Sequence, residues 1–188
     1  LGRGDQAVMR GKVVIEEHDY LTEAFTREAV NFIDQNREKP LFLYLPYLAA
    51  HGPLQVTEKY YDRFPHIKDE ASRIQAAMIS ALDDGIGQVI SALKRNGIEE
   101  NTLIFFASDN GGGVAHYTSN EPLRLGKQTM FEGGVRVPFL MKWPKRIPQG
   151  IVFESPVSAL DIFPTAYAAA GGLPRKDLYL DGVDLLPY

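Results

Sequence analysis

Apolar and polar positions along this chain fall into two alternating kinds of segment. Phe25, Ala29, Phe32 and Ile33 recur at helical spacing after Thr22, which predicts a helix with Thr22 as its N-cap. The stretch at 36–40 ends it, and Leu41-Phe42-Leu43-Tyr44-Leu45 is a compact apolar run stopped by Pro46, predicted as a central strand. A loop at 47–56 and a short helix at 58–64 follow. Residues 69–96 form the longest periodic stretch, with Ile74, Met78, Ala81, Leu82, Ile86, Val89, Ile90 and Leu93 on one face and Gly97 as C-cap. Apolar runs at 103–107 and 139–142 read as buried strands, and 162–170 reads as a helix closed by Gly171-Gly172. Residues 1–19 are irregular apart from an edge strand at Val13-Val14-Ile15, and Arg3-Gly4-Asp5 within them carries no functional weight. Helices alternating with strands predict an α/β sandwich with a mostly parallel sheet.

The strand at 103–107 carries the first chemical signal, because it runs straight into Ser108-Asp109-Asn110-Gly111-Gly112-Gly113. Polar groups at the carboxyl end of a parallel strand build a site in the crevice there. Asp109 and Asn110 offer one charged and one neutral oxygen, which suits a hard cation such as Ca²⁺ or Mg²⁺. The glycines permit close backbone approach. Taken by themselves, the same residues also spell an ordinary Asp-Asn-Gly turn.

Downstream stand Pro122-Leu123-Arg124-Leu125-Gly126-Lys127, then Glu132-Gly133-Gly134-Val135-Arg136-Val137-Pro138, then Trp143-Pro144. With Ser108-Asp109-Asn110-Gly111 these four blocks, in this order, resemble the sulfatase family, the arylsulfatase-like branch of the alkaline-phosphatase superfamily. The resemblance runs from about Tyr20 to Tyr188. It implies an alkaline-phosphatase-like sandwich, incomplete at both ends, so that residues 1–188 are a partial catalytic domain without its nucleophile-bearing amino-terminal part and its carboxyl-terminal subdomain. It also implies a hydrolase of sulfate esters, of sugars or polysaccharides, assisted by calcium. Asp109 and Asn110 match the family's second pair of metal ligands, and Lys127 matches the lysine that holds a sulfate oxygen. His51, in Ala49-Ala50-His51-Gly52-Pro53, stands where the family shows Pro-His-x-Pro and is assigned to the sulfate or the leaving oxygen, although Ala50 replaces the proline. His116 and Arg124 border the substrate region, and Arg136 is expected to fix its loop by pairing with an acid.

The family's nucleophile is a formylglycine made from Cys or Ser in Cys/Ser-x-Pro-x-Arg. This chain has no Cys, and none of its serines is followed by x-Pro-x-Arg. The family's early Asp-Asp pair is missing too, since Asp83-Asp84 lies within the long helix, where neighbours diverge by about 100°. Both acids, like His18 and His66, are expected on the surface. The isolated chain is therefore expected to be inactive. Two alternatives remain: a non-catalytic binder of sulfated glycans or other anions, and a phosphoesterase or phosphonate-processing relative.

Composition narrows the partners. A net charge of −4 gives no reason to expect nucleic acid. No run approaches the roughly 18 apolar residues of a membrane span, and the absence of Cys leaves the redox compartment unread. Localisation follows only from the family, as periplasmic or secreted. A sheet lacking its first strands exposes an edge, which predicts self-association or pairing with the missing amino-terminal segment.

Overall fold

The computed structural model describes residues 7–113, 115, 117–173 and 179–188. The chain divides into two compact units, Leu1–Gly97 and Ile98–Tyr188.

In the first unit a hairpin pairs β1 (Met9–Arg10) with β2 (Val13–Val14), turning at Gly11 with φ +63°. The edge strand expected at Val13-Val14-Ile15 is thus present. Helix α1 (Leu21–Asn36) starts two residues earlier than the N-cap reading of Thr22 requires. Tyr20 is the N-cap and Thr22 is buried inside the first turn. The inward stripe is Thr22, Thr26, Ala29 and Ile33, whereas Phe32 is exposed. A neighbouring helix comes close at Thr26, where a Cβ on its Gly85 would stand 2.5 Å from Thr26 Oγ1.

That neighbour is α3 (Glu70–Arg95), which packs along α1. Asp69 caps it, accepting the Ser72 N–H at 2.8 Å. Asn96 ends it, and Gly97 follows with φ +69°, the left-handed stop expected of a glycine there. Its innermost positions, Ala77, Ala81, Gly85 and Ala92, are small, which permits close packing. Tyr60, at the end of the short helix α2 (Glu58–Tyr61), is 1% exposed and forms a core cluster with Ala77 and Ala81, over which Tyr20, Val56 and Phe64 close. At the far end Asp34 receives Arg95 at 2.7 Å and Asn96 Nδ2 at 2.6 Å, tying the two helices together. Asp84 takes the Arg63 guanidinium at 3.0 and 2.7 Å, while Asp83 is exposed; among the described residues neither belongs to a group of three or more side chains that could hold a metal.

Residues 41–45 correct the sequence reading. They form no ladder among the described residues, and they alternate half-buried Leu41, Leu43 and Leu45 with Phe42 and Tyr44, which are 80% and 77% exposed. The period-2 pattern of a strand is there, but among the described residues no neighbouring strand takes up its hydrogen bonds.

The second unit is built on β3 (Ile104–Ala107) and β4 (Phe139–Lys142). They pair antiparallel, Ile104 opposite Lys142 and Ala107 opposite Phe139, so the parallel pairing expected is not seen among the described residues. The antiparallel register has a consequence for the site: the end of β3 lies beside the start of β4, and Ser108 N–H reaches Pro138 O at 3.2 Å. Ile104 and Phe105 are half-buried, whereas Phe106, 38% exposed, and Ala107 are open, so β3 is not the fully buried strand its composition predicts. Helix α5 (Ile162–Ala169) is held by Asp161, a buried carboxylate that accepts N–H groups of Ser158 at 2.7 Å and Val183 at 2.8 Å. Gly171, with φ +81°, follows the helix as expected.

Candidate functional site

The loop leaving β3 is threaded against three other backbone segments. Gly111 N–H donates to Gly134 O at 3.0 Å, and Lys127 N–H donates to Gly112 O at 2.9 Å. Asn120 clamps Gly112 from both sides: its Oδ1 accepts the Gly112 N–H at 2.9 Å and its Nδ2 donates to the Gly112 carbonyl at 3.0 Å. Gly133 N–H closes the set on Arg124 O at 2.9 Å. Glycine is required because the backbones nearly touch. A Cβ on Gly133 would stand 2.6 Å from Arg124 O, and one on Gly126 would stand 2.5 Å from Asn120 Nδ2. The Glu-Gly-Gly block, within the short helix α4 (Glu132–Val135), is thus a packing device for the Asp-Asn-Gly loop.

This interlacing brings Asp109, Asn110 and Lys127 onto one connected piece of backbone. Asp109 Oδ1 accepts the Asn110 N–H at 2.9 Å, and the exposed carboxylate keeps its second oxygen free of protein donors among the described residues. Asn110 Nδ2 donates to Gly111 O at 3.0 Å, which fixes the amide and leaves Oδ1 as the available acceptor. Ser108 Oγ braces the turn through Asn110 O at 2.9 Å. Two adjacent oxygen donors, one anionic and one neutral, match the chemistry of a hard cation. Among the described residues no group of three or more His, Asp and Glu side chains could hold a metal, so these two supply only part of a ligand set.

Lys127 is framed by Leu125 at φ +58° and Gln128 at φ +71°, two side-chain-bearing residues in left-handed backbone. Such residues cost about 1–3 kcal/mol each and persist where surrounding structure holds them. Arg124 stacks its guanidinium 4.2 Å from the Phe131 ring centre and makes no ion pair among the described residues. Arg136 does pair with Glu132, at 3.2 Å on the exposed face of α4, as expected of a loop-fixing arginine. His116 lies outside the described residues.

His51 belongs to the other compact unit, Leu1–Gly97. Its backbone N–H donates to Leu48 O at 2.8 Å, and its ring Nδ1 lies 2.8 Å from Gly52 O. A carbonyl only accepts, so Nδ1 carries a proton and Nε2 is left to face solvent. His18 and His66 are exposed, as expected. Sequence reasoning missed Asn120 and Asp161, whose roles depend on backbone groups distant in sequence; an Asn ahead of Glu-Pro was the only local hint.

The sulfatase family model matches residues 4–172. This chain belongs to the sulfatase family. Among curated relatives, N-acetylgalactosamine-6-sulfatase of Canis lupus familiaris is 37% identical over 173 residues, covering 89% of this chain and 32% of the relative. Steryl-sulfatase of Homo sapiens is 33% identical over 191 residues, covering 96% and 32%. The chain therefore spans about a third of the length of these relatives. Among solved structures, Ps i-CgsB in complex with k-i-k-neocarrahexaose superposes with a TM-score of 0.93 at 43% identity, over 97% of this chain and 41% of the other. The PsFucS1 sulfatase from Pseudoalteromonas sp. follows at 0.77 and 32%, over 88% and 33%. The fold is thus α/β and alkaline-phosphatase-like, as the four sequence blocks predict, despite the absence of a parallel ladder among the described residues.

Proposed function

We propose that residues 1–188 are part of a sulfatase catalytic domain, and that the reaction they serve is hydrolysis of sulfate esters, of sugars or polysaccharides. The observation that carries this reading is the backbone interlacing that holds the Asp109-Asn110 tip to Lys127 through Gly112. Asp109 and Asn110 would hold a calcium ion, with magnesium as the second candidate; bound there, a dication neutralises charge on the sulfate oxygens. Lys127 adds a compact positive charge for a sulfate oxygen. His51, with its Nδ1–H committed to Gly52 O, would present Nε2 to the leaving oxygen and, in its doubly protonated form, give it a proton. Arg124 and His116 border the substrate. A carbohydrate substrate is in keeping with the solved relative whose ligand is by name a hexaose. Family analogy makes the protein periplasmic or secreted.

The sequence contains neither Cys nor a Ser in Ser-x-Pro-x-Arg, so the formylglycine nucleophile of the family has no source within these residues. The 188-residue chain alone should not turn over an aryl sulfate. It should bind calcium weakly, with affinity falling at least about tenfold in Asp109→Ala, since a lost charged ligand removes a main source of metal affinity. Inorganic sulfate should bind more weakly to Lys127→Ala than to the parent. Calorimetric titrations that are identical for parent and Asp109→Ala would remove the metal assignment. Turnover by the purified chain would overturn the view that the nucleophile lies elsewhere. Sulfated-glycan binding that survives without calcium dependence would favour the non-catalytic binder.

A further inference from the structure

The loop that carries His51 leaves residues 41–45 through Pro46 and Tyr47. His51 is exposed, and among the described residues its ring hydrogen-bonds only to the adjacent Gly52. Tyr47 is held differently. Its hydroxyl lies 2.8 Å from Thr26 Oγ1, on the inner face of α1. Thr26 is 1% exposed and gives its hydroxyl proton to Thr22 O at 2.7 Å. A hydroxyl has one proton to give, so Tyr47 O–H is the donor and Thr26 Oγ1 the acceptor. Burial pushes the Tyr47 phenol above its ordinary value, which keeps that donor protonated.

The space for this contact is opened by Gly85. A Cβ there would stand 2.5 Å from Thr26 Oγ1 and 3.1 Å from the Tyr47 hydroxyl. Glycine inside a helix costs about 1 kcal/mol relative to alanine. Its presence in the middle of α3 therefore has a specific packing cause, the Thr26–Tyr47 hydroxyl pair that a Cβ would strike first at Thr26 and then at Tyr47. From Tyr47 the chain runs directly into Leu48, whose carbonyl accepts the His51 N–H at 2.8 Å.

We infer that Tyr47 is a positioning residue for His51, tethering the loop at 47–51 to the α1–α3 pair through the Thr26 hydroxyl in a notch left by Gly85. The inference rests on the reading of His51 as a site residue, and the test separates the two. The measurement is the side-chain ¹³C–¹H spectrum of the histidines in the folded 188-residue chain. Tyr47→Phe, which keeps the ring and removes the donor, should move or broaden the His51 resonance by more than its line width, while His18 and His66 stay in place. Thr26→Val should do the same, and Thr26→Ser, which keeps the acceptor, should restore the parent spectrum. If Tyr47→Phe does not fold, the Thr26 pair decides alone. An unchanged His51 resonance in folded Tyr47→Phe or Thr26→Val overturns the tether. Inorganic sulfate should shift the parent His51 resonance; if it does not, the site reading of His51 fails and the tether is judged on the variants.

Discussion

Gly133→Ala is the sharpest test of the interlaced loops. A methyl group there would stand 2.6 Å from Arg124 O and 2.7 Å from Leu125 C, and closer still to Leu125 O. Ordinary carbon contacts sit near 3.5–4.0 Å, so a displacement of more than about 1 Å is needed. The obstructing atoms are backbone and cannot rotate aside, and the shift would stretch the 2.9 Å bond from Gly133 N–H to Arg124 O. Overpacking costs about 1–3 kcal/mol and a lost hydrogen bond about 0.5–1.5 kcal/mol. Together they predict a loss of about 2–4 kcal/mol. With a urea slope of about 2 kcal/mol/M, the midpoint should fall by about 1–2 M. Gly113→Ala is the matched control, because a Cβ at Gly113 meets nothing within 4 Å, and it should change stability by less than about 0.5 kcal/mol. Calcium binding should weaken in Gly133→Ala and persist in Gly113→Ala. Equal midpoints for the two variants would refute the argument that backbone contact fixes the site.

Two glycines of the α3 region should respond in opposite directions. Gly87→Ala, mid-helix and facing open space, should stabilise by about 0.5–1 kcal/mol, whereas Gly97→Ala, equally open but at φ +69°, should destabilise by about 1 kcal/mol; urea melts read both. Acid should weaken the first unit. Lys59 hydrogen-bonded to Glu23, Asn96 and then Arg95 at Asp34, and Arg63 at Asp84 hold these carboxyls below their ordinary range. Depressed folded values mean that this stability is present above about pH 4–5 and is lost as pH falls through the lowered values, so a midpoint that rises between pH 5 and pH 3 would contradict the sign. Phe42→Lys should leave stability within about 0.5 kcal/mol, since Phe42 is 80% exposed, while reducing self-association seen by light scattering; unchanged association would show that residues 41–45 are not the contact.

The site divides along the line between local and distant causes. Ser108-Asp109-Asn110-Gly111 and Gly126-Lys127 were legible because each is a contiguous block at a strand end or turn. What joins them was not. Asn120 reaches Gly112, and Gly133 reaches Arg124, through backbone groups that carry no side-chain signature. The Thr26–Tyr47–Gly85 contact was equally hidden, and it reverses a local expectation, since Thr22 looked like a cap and Phe32 looked like core.

The sequence by itself determined the family, the helices at 21–36 and 70–95 to within about two residues, and the strands at 104–107 and 139–142. Those features rest on periodicity, capping and short motifs, which act over a few residues. Tertiary structure alone decided which face of α1 turns inward, that β3 and β4 pair antiparallel, and that 41–45 carries strand alternation without a ladder among the described residues. The physical reason is that a ladder or a close helix crossing is a property of two segments. A single segment's pattern can state what it needs, but only its neighbour can supply it.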